Sequence, residues 1–510
     1  MLKKLLKLIS HRLFIIGLML VIQIIAIIVV ITKFEDFIIS FYIIAEVIGV
    51  LLLLKIINSR ANPSYKIAWL VPILTIPIFG TLFYLILGTK SNSRTDKRIE
   101  EISSKFEKNL IPDNRIIKTI QKENLDAYNQ IQYLMNYGKF PVYENTSSEY
   151  LEIGQVYYQK LIEELKQAKH YIFLEYFIIQ EGKMWNSILD LLVKKVNEGV
   201  DVRVIYDDMG CIVTLPSGYY KRLEKYGIKA CSFNKFVPVL NAKLNNRDHR
   251  KIAIIDGWVG FTGGINLADE YINEFEKHGY WKDNGIMIKG EAVWNLTVMF
   301  LSTWDYIRKE KTDYEKFKPH FYHKEVLKEK GYILPYDDSP LDNEIVGETV
   351  YLNLINKAKK YIYITTPYLI IDNELETALK IAAKSGIDVR IITPGIADKK
   401  MVNEVTKAYY PSLLEAGVKI YEYVPGFIHA KTFIVDDIYA TVGTVNLDYR
   451  SLYLHFECGI WMYKTECIKE IKKDYENTLV KSKEIVKEDT KIGLFRSLKR
   501  AILRLFAPLL

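Results

Sequence analysis

His249-Arg-Lys251-Ile-Ala-Ile-Ile-Asp256 is repeated later in the chain as His429-Ala-Lys431-Thr-Phe-Ile-Val-Asp436. A glycine and an asparagine then follow each copy at the same offsets, as Gly263 and Asn266 after the first and as Gly443 and Asn446 after the second. With only 8 histidines in 510 residues, such a double match is rare by chance. The repeat therefore indicates a duplicated unit that carries its chemistry twice.

Each copy closes a longer repeated pattern of strand, helix, strand, helix and strand. Residues 168–179 and 358–370 both have the composition of a buried strand, and residues 199–205 and 386–392 match as a second one. Alternation at this spacing predicts α/β sandwich units with parallel or mixed sheets. The halves of a duplication commonly pack about a pseudo-twofold axis, and such an axis would bring the two His-Lys strands face to face.

The residue types of the repeat suit phosphodiester chemistry. Residues two apart on a strand point to the same side, so the histidine and lysine of each copy project together. One imidazole can attack phosphorus and form a phosphohistidine, while the other protonates the leaving oxygen. Lysine ammonium groups and asparagine amides at glycine turns neutralise the phosphate oxygens. The candidates are His249, Lys251, Asn266, His429, Lys431 and Asn446. This mechanism needs no metal and no other cofactor.

Four carboxylates are further candidates. Asp256 and Asp436 complete the two motifs and are included with the catalytic residues, although their place at a turn favours a structural role. Glu175 lies in an apolar strand and Glu457 follows the second motif, so each could orient a histidine. An ordinary salt bridge explains these two glutamates equally well.

Three apolar runs near the N-terminus, residues 13–32, 37–57 and 67–88, each approach the length that crosses a bilayer. Flanking lysines and arginines favour a cytoplasmic N-terminus. Prolines and a glycine interrupt the third run, which leaves open either three full spans or two spans and a re-entrant segment. The side of the membrane that bears the catalytic part is open for the same reason. The sequence therefore predicts a multi-pass protein of the cell membrane.

The chain divides by composition. We expect residues 1–90 to form the membrane region, 91–140 a helical connector, 141–320 and 321–490 the two lobes, and 491–510 a basic amphipathic helix. Such a helix suits contact with an anionic lipid surface, or docking onto the catalytic domain or a second subunit. The net charge of +8 is mild for this length and does not require nucleic acid.

The two motifs resemble the phospholipase D superfamily, whose signature is His-x-Lys-x4-Asp, and most closely the bacterial cardiolipin synthases. The resemblance also rests on residues 62–69, 263–270, 279–283, 446–451 and 504–510. It implies two tandem phospholipase D-like α/β sandwich lobes in a pseudo-twofold arrangement, preceded by N-terminal transmembrane helices. This chain departs from the family in an additional first apolar run and in His455, where asparagine is expected.

The resemblance implies a transesterification. One phosphatidylglycerol would form a phosphatidyl-histidine on His249 and release glycerol, and a second would attack it to give cardiolipin, with His429 as acid and base. The residues themselves leave the reverse assignment open. The implied partners are phosphatidylglycerol, other anionic phospholipids and the membrane, without nucleic acid, and a homo-oligomer is left open.

Three other functions are compatible with parts of the sequence. A membrane-bound phospholipase D-type phosphodiesterase would use water in the second step, and no single residue distinguishes it. A nuclease of the same fold is opposed by the apolar runs. A non-catalytic membrane scaffold is opposed by two intact motifs.

Overall fold

The computed structural model describes residues 38–88, 105–235, 246–319, 323, 325–327, 329–342 and 344–509, together with the helical positions Val21, Ile25 and Val29. Apart from these three positions, the first apolar run lies outside the described residues. The beginning of the predicted connector, residues 91–104, also lies outside them.

Residues 38–88, the first continuously described range, form three apolar helices. They are α1 (Ile38–Ile57), α2 (Pro63–Thr75) and α3 (Pro77–Leu87). The third apolar run is divided at Ile76, because Pro77 lacks an N–H group and disfavours a helical residue before it. Within the described residues, no helix combines the length and the apolar character needed to cross a membrane.

Two short helices, α4 (Asn114–Glu123) and α5 (Leu125–Asn136), precede the first sheet. The side chains of Asp113 and Asn124 cap them by accepting backbone N–H groups. Both helices bury their apolar faces in the main core, and Gln130 accepts a hydrogen bond from the indole N–H of Trp461 at 3.1 Å. This part of the predicted connector is therefore packed against the body of the protein.

The first half of the chain forms one mixed sheet, in the order β1-β9-β7-β6-β2-β3-β4. Its strands are β1 (Thr146–Leu151), β2 (Tyr171–Tyr176), β3 (Asp201–Asp207), β4 (Lys229–Phe233), β6 (Lys251–Ile255), β7 (Val259–Gly263) and β9 (Gly285–Gly290). Two short strands, β5 (Arg247–Asp248) and β8 (Tyr280–Lys282), lie off this sheet. The helices of this half are α6 (Gly154–Gln167), α7 (Lys183–Asn197), α8 (Tyr220–Glu224) and α9 (Val293–Arg308).

The second half repeats this order as β10-β19-β17-β16-β11-β13-β14 and adds β20 at the edge. Its strands are β10 (Tyr332–Asp338), β11 (Tyr361–Thr365), β13 (Asp388–Pro394), β14 (Lys419–Tyr423), β16 (Thr432–Val435), β17 (Tyr439–Gly443), β19 (His455–Tyr463) and β20 (Ser482–Ile485). Shorter strands are β12 (Leu369–Ile370), β15 (Gly426–Ile428) and β18 (Leu447–Asp448). Its helices are α10 (Val346–Lys357), α11 (Asn373–Lys384), α12 (Lys400–Glu415), α13 (Tyr449–Tyr453) and α14 (Cys467–Val480), followed by α15 (Leu494–Leu505).

The matching strand orders confirm the predicted mixed α/β fold. In each half the strand that follows the His-x-Lys motif pairs antiparallel with two neighbours and is buried along its whole length. Burial on both faces explains why its sequence is a continuous apolar run rather than an alternating one.

The two halves exchange short strands with each other. β5 pairs in parallel with the start of β19, and β15 pairs in the same way with β8. The exchange continues one residue further, where the N–H of His249 donates to the carbonyl of Phe456 at 2.9 Å and that of His429 to the carbonyl of Lys282 at 2.7 Å. Each histidine is thus held by its own lobe and by the other one.

The C-terminal helix α15 turns its basic face inward. Arg496 and Arg500 both bind Glu404 on α12, at 2.6 and 2.8 Å, and Arg504 binds Glu376 on α11 at 2.8 Å. The apolar face points outward, so that Leu494 is 83% and Phe495 is 89% exposed. The helix therefore docks on the second lobe through charge and presents its apolar side to the surroundings.

Candidate active site

The two His-Lys pairs lie in one buried cluster between the lobes. His249, Lys251, His429 and Lys431 are all buried. Burial lowers the pKa of both His429 and Lys431, and the charge of Lys251 lowers both further, while the carboxylate of Glu457 raises the pKa of both lysines. The two His-x-Lys motifs, which are far apart in the sequence, therefore share a single electrostatic environment.

Glu457 is the carboxylate that contacts His249. The Nδ1 atom of His249 lies 2.8 and 3.0 Å from the two carboxylate oxygens of Glu457, which comes from the other lobe. Burial lowers the pKa of His249 well below its usual value, and Lys251 lowers it further. Burial alone would raise the pKa of Glu457, but His249 and His455 beside it bring that pKa below its usual range. An ionised carboxylate facing Nδ1 fixes the neutral tautomer with the proton on Nδ1, which leaves the Nε2 lone pair available.

Asp283 contacts His429 in the same way. Its Oδ2 lies 2.7 Å from Nδ1 of His429, and again the carboxylate belongs to the opposite lobe. Burial lowers the pKa of His429 to about 4, with Lys431 as the next cause. Burial acts to raise the pKa of Asp283, but His429 and Lys431 bring it below the usual value. Both half-sites therefore pair a neutral imidazole with an ionised carboxylate.

The two lysines are buried beside their histidines. Lys251 Nζ donates to the carbonyl of His249 at 2.6 Å, and Lys431 Nζ donates to the carbonyl of His429. Burial lowers the pKa of Lys251 to about 8 and that of Lys431 to about 7. A cation held at this cost has a strong preference for an anionic ligand, since a nearby opposite charge restores its usual pKa.

The two predicted phosphate-binding asparagines differ in their contacts. The Oδ1 atom of Asn266 accepts the N–H of Ile178 at 2.9 Å, and its Nδ2 donates to the hydroxyl of Tyr271 at 2.7 Å. Asn446 is equally buried, but its Oδ1 has no hydrogen-bond partner among the described residues. Of the two asparagines, only Asn446 therefore has a side-chain oxygen without a hydrogen-bond partner among the described residues.

Asp256 and Asp436 lie at the far ends of their strands. Asp256 accepts the backbone N–H groups of residues 169–171 at 2.7–2.9 Å, and Asp436 accepts those of residues 359–361 at 2.6–2.8 Å. Strand geometry puts each carboxylate about 16 Å along the chain from the lysine of its own motif. These contacts connect β6 to β2 and β16 to β11, and the choice between a structural and a catalytic role for the two aspartates stays a prediction.

Glu175 contacts neither histidine. It is fully buried on β2, and its Oε1 lies 3.1 Å from the guanidinium of Arg250. Arg250 also pairs with Asp248 and with Asp337 of the second lobe, each at 3.1 Å. The structure therefore places Glu175 behind the His-x-Lys strand in a network that joins the lobes, and Glu457 in contact with His249.

The histidine-binding carboxylate that the sequence did not reveal is Asp283. A signal for it exists in the repeat, because Gly263 pairs with Gly285 and Gly443 pairs with Gly459. Asp283 and Glu457 each precede the paired glycine by two residues. Aligning the halves on these strands, rather than on the motif alone, would have found it.

Aromatic rings surround both histidines. Phe177 and His455 lie 5.0 and 5.4 Å from the ring of His249. Trp281 and Phe427 each lie 5.7 Å from the ring of His429. In the strand register described above, His455 and Trp281 occupy equivalent places.

Two lobes of the same strand order, each contributing a His-x-Lys strand to a shared buried site, define the class of phospholipase D-like proteins. The family described as "Cardiolipin synthase, PLD-like domain" matches residues 161–304 and 351–479, and "Phospholipase_D-nuclease N-terminal" matches residues 47–88. The chain belongs to the cardiolipin synthase family of phospholipase D-like enzymes, and it is a phosphatidyltransferase of that type.

Individual relatives agree with this assignment. The chain is 36% identical over 433 residues to a cardiolipin synthase of Alkalihalophilus pseudofirmus, covering 84% of this chain and 85% of that one. It is 48% identical over 462 residues to an uncharacterized protein of Streptococcus mutans, covering 90% of this chain and 99% of that one. Among solved structures, the phosphatidylserine synthase of Haemophilus influenzae superposes with a TM-score of 0.56 at 16% identity, covering 75% of this chain and 98% of that one. This last similarity concerns the fold alone.

Proposed function

We propose that the protein transfers a phosphatidyl group from one phosphatidylglycerol to another, giving cardiolipin and glycerol through a phosphatidyl-histidine. One observation carries the proposal: each histidine has Nδ1 bound to a buried carboxylate of the opposite lobe, Glu457 for His249 and Asp283 for His429. Both Nε2 atoms are thereby available for one phosphodiester placed between the lobes. This is what a two-step displacement with a nucleophile and a separate acid and base requires.

In the first step Nε2 of His249 attacks phosphorus. A phosphorus–nitrogen bond forms, the bond to the glycerol headgroup oxygen breaks, and His429 gives a proton to that oxygen. His429 is neutral in the free site, with a pKa lowered to about 4. The bound phosphodiester brings a negative charge beside it, which raises that pKa and favours the protonated acid.

In the second step the terminal hydroxyl of another phosphatidylglycerol replaces glycerol. His429 accepts the hydroxyl proton, the new oxygen attacks phosphorus, and the bond to His249 breaks. Lys251 and Lys431 balance the charge on the non-bridging oxygens in both steps. Asn446, whose buried Oδ1 has no partner among the described residues, is the asparagine that we assign to substrate contact.

The protein acts at the cell membrane in this proposal, with N-terminal transmembrane helices in a multi-pass arrangement. Two features support it. The apolar residues of α2 and α3 pack beside α1 around Trp69 and Ile73. Leu509, just after α15, joins the same cluster. Leu509 therefore packs the segment after α15 against the N-terminal helices, and the outward apolar face of α15 is expected of a helix that lies in a lipid interface.

We retain the predicted organisation with residues 141–320 and 321–490 as the two lobes and 491–510 as the terminal helix. The strand orders of the two sheets support this division. The substrates in this proposal are phosphatidylglycerol and other anionic phospholipids, and the buried lysines support an anionic ligand.

The decisive test is product analysis with the purified full chain and vesicles of phosphatidylglycerol. We expect cardiolipin and glycerol in equal amounts, and neither from His249→Ala. A matched control is His170→Ala, which changes an exposed histidine outside the site. Phosphatidic acid as the main product would instead identify the hydrolase, and unchanged cardiolipin formation by His249→Ala would refute the mechanism.

A further inference from the structure

We infer that His249, His455 and Glu457 form a binding site for a divalent transition metal ion, with Zn²⁺ as the best-suited ion, and that occupancy switches the enzyme off. One ring nitrogen of each histidine and one oxygen of Glu457 lie within 4.8 Å of one another. Two imidazoles and a carboxylate are a ligand set that zinc prefers in proteins.

Beyond its effect on the pKa of Glu457, His455 has no other evident task in the described structure. Neither of its ring nitrogens has a hydrogen-bond partner among the described residues, and its side chain is only 10% exposed. Its Nδ1 lies 3.7 Å from Oε1 of Glu457, which is too long for a hydrogen bond. A buried imidazole with both nitrogens unused points to a ligand that is absent from the contacts within the chain.

The distances suit a metal ion after small movements. Bonds of about 2.1 Å in a tetrahedral site place neighbouring ligand atoms about 3.4 Å apart. The Glu457 Oε1 atom lies 2.8 Å from Nδ1 of His249 and 3.7 Å from Nδ1 of His455, on either side of that value. The ion would replace the proton that His249 shares with Glu457.

The half-site around His429 offers no such set. Trp281 occupies there the place that His455 takes beside His249. In the described part of the chain, the carboxylate and histidine of that half therefore have no third ligand. The other candidate group among the described residues, Glu348, Asp372 and Glu374, offers carboxylates alone and suits harder cations, so one imidazole-containing site per chain is expected.

Inhibition follows from the position of the ion, and this part of the inference rests on the proposed function. A bound cation removes the carboxylate that makes Nε2 of His249 basic, and it withdraws electron density from the ring that must attack phosphorus. Metal binding itself is independent of whether cardiolipin is the product.

The test uses the purified full chain in detergent, treated with a chelator that is then removed, with Co²⁺ as the spectroscopic probe. We expect one Co²⁺ per chain with the visible bands of a tetrahedral site, displaced by Zn²⁺. His455→Asn should weaken this binding by more than about 100-fold, since one ligand is lost. His170→Asn, a histidine outside the cluster, should bind Co²⁺ like the unchanged chain.

An activity assay completes the test. Zn²⁺ should inhibit the unchanged chain, and the inhibition constant should rise in His455→Asn by the same factor as the Co²⁺ affinity falls. His455→Gln serves as a second variant should the first fail to fold, as judged by thermal unfolding. Absence of saturable Co²⁺ binding, or tetrahedral bands that persist in both His455 variants, would overturn the inference. Metal binding without cardiolipin synthesis would refute only the proposed function.

Discussion

The half-site around His249 and the half-site around His429 share one backbone and hydrogen-bond arrangement but differ in the side chains around each histidine. In both, a carboxylate two residues before a paired glycine binds Nδ1 from the opposite lobe. The first half uses the longer Glu457 with His455 beside it, and the second uses the shorter Asp283 with Trp281 beside it. The pairing of β5 and β15 with strands of the other half brings each histidine to a carboxylate of the opposite lobe. The neighbouring side chains then determine how the two half-sites differ.

The residue that supports each carboxylate differs accordingly. Thr444 donates its hydroxyl hydrogen to Glu457, while Gly264 in the equivalent place leaves room for Asp283. A methyl group added to Gly264 would lie only 2.0 Å from Oδ1 of Asp283. A duplicated scaffold has thus kept its hydrogen-bonded frame and changed its side chains, in keeping with the different tasks that we propose for the two histidines.

The largest expected effect separates the tasks of the two histidines. His249→Ala and His429→Ala should each lower activity by about 10⁴-fold, since one removes the nucleophile and the other the acid and base. With phosphatidylglycerol labelled in the phosphatidyl group, label should stay on the protein only when His249 is present. Label retained by His249→Ala and absent from His429→Ala would reverse the assignment.

The orienting carboxylates come next. Glu457→Gln and Asp283→Asn should each lower activity by between about 10² and 10⁴-fold, because a neutral amide no longer fixes the tautomer that exposes Nε2. Steady-state rates with phosphatidylglycerol vesicles measure the effect. Glu175→Gln is the comparison, since Glu175 contacts Arg250 and neither histidine. If Glu175→Gln lost activity with unchanged thermal stability, the assignment of Glu175 to the structural network around Arg250 would be contradicted.

The residue beside each carboxylate can be tested by adding a methyl group at Gly264 and by removing the hydroxyl group of Thr444. Gly264→Ala should reproduce much of the defect of Asp283→Asn, since the added methyl group displaces the carboxylate from His429. Thr444→Ala removes one hydrogen bond to Glu457 and should lower activity by only about tenfold or less. Rates of the two variants under the same conditions decide the point, and equal effects would show that the halves are supported alike.

The two asparagines should separate activity from stability. Asn266→Ala breaks hydrogen bonds to Ile178 and Tyr271 and should lower the free energy of unfolding by about 1–3 kcal/mol. Asn446→Ala should affect stability less and activity more. Thermal unfolding in detergent and initial rates provide the two measurements, and the reverse pattern would place the substrate contact at Asn266.

The smallest effect on the chemistry is expected at the ends of the motifs. Asp256→Ala and Asp436→Ala each leave three backbone N–H groups without their acceptor and should lower stability by about 1–3 kcal/mol. Activity per folded molecule should remain within a few-fold of the unchanged chain. A loss comparable to that of His249→Ala in a folded variant would show a direct catalytic role.

Much of the site followed from local sequence. The spacing of His249 and Lys251 predicts that both project to one side of an extended segment, and the repeat at His429 and Lys431 predicts a second copy of that arrangement. The mixed α/β fold and the family were predicted from these motifs and are confirmed. The membrane helices, the lobe boundaries and the roles of the site residues remain predictions.

Other features depended on contacts that no local pattern contains. Glu175 and Glu457 look alike in sequence, as single carboxylates in apolar strands, yet one meets Arg250 and the other meets His249. The C-terminal helix shows the same limit: its amphipathic pattern was evident, but the direction of its basic face depended on Glu376 and Glu404.

The sequence by itself determined the duplicated unit and the apolar strand that follows each His-x-Lys motif, and it predicted residues for the phosphodiester chemistry. Only the tertiary structure decided that each histidine takes its carboxylate from the opposite lobe and that His455 stands beside His249. The physical reason is that period and spacing describe neighbours along one strand, whereas β5 and β15 pair with strands of the other half of the chain.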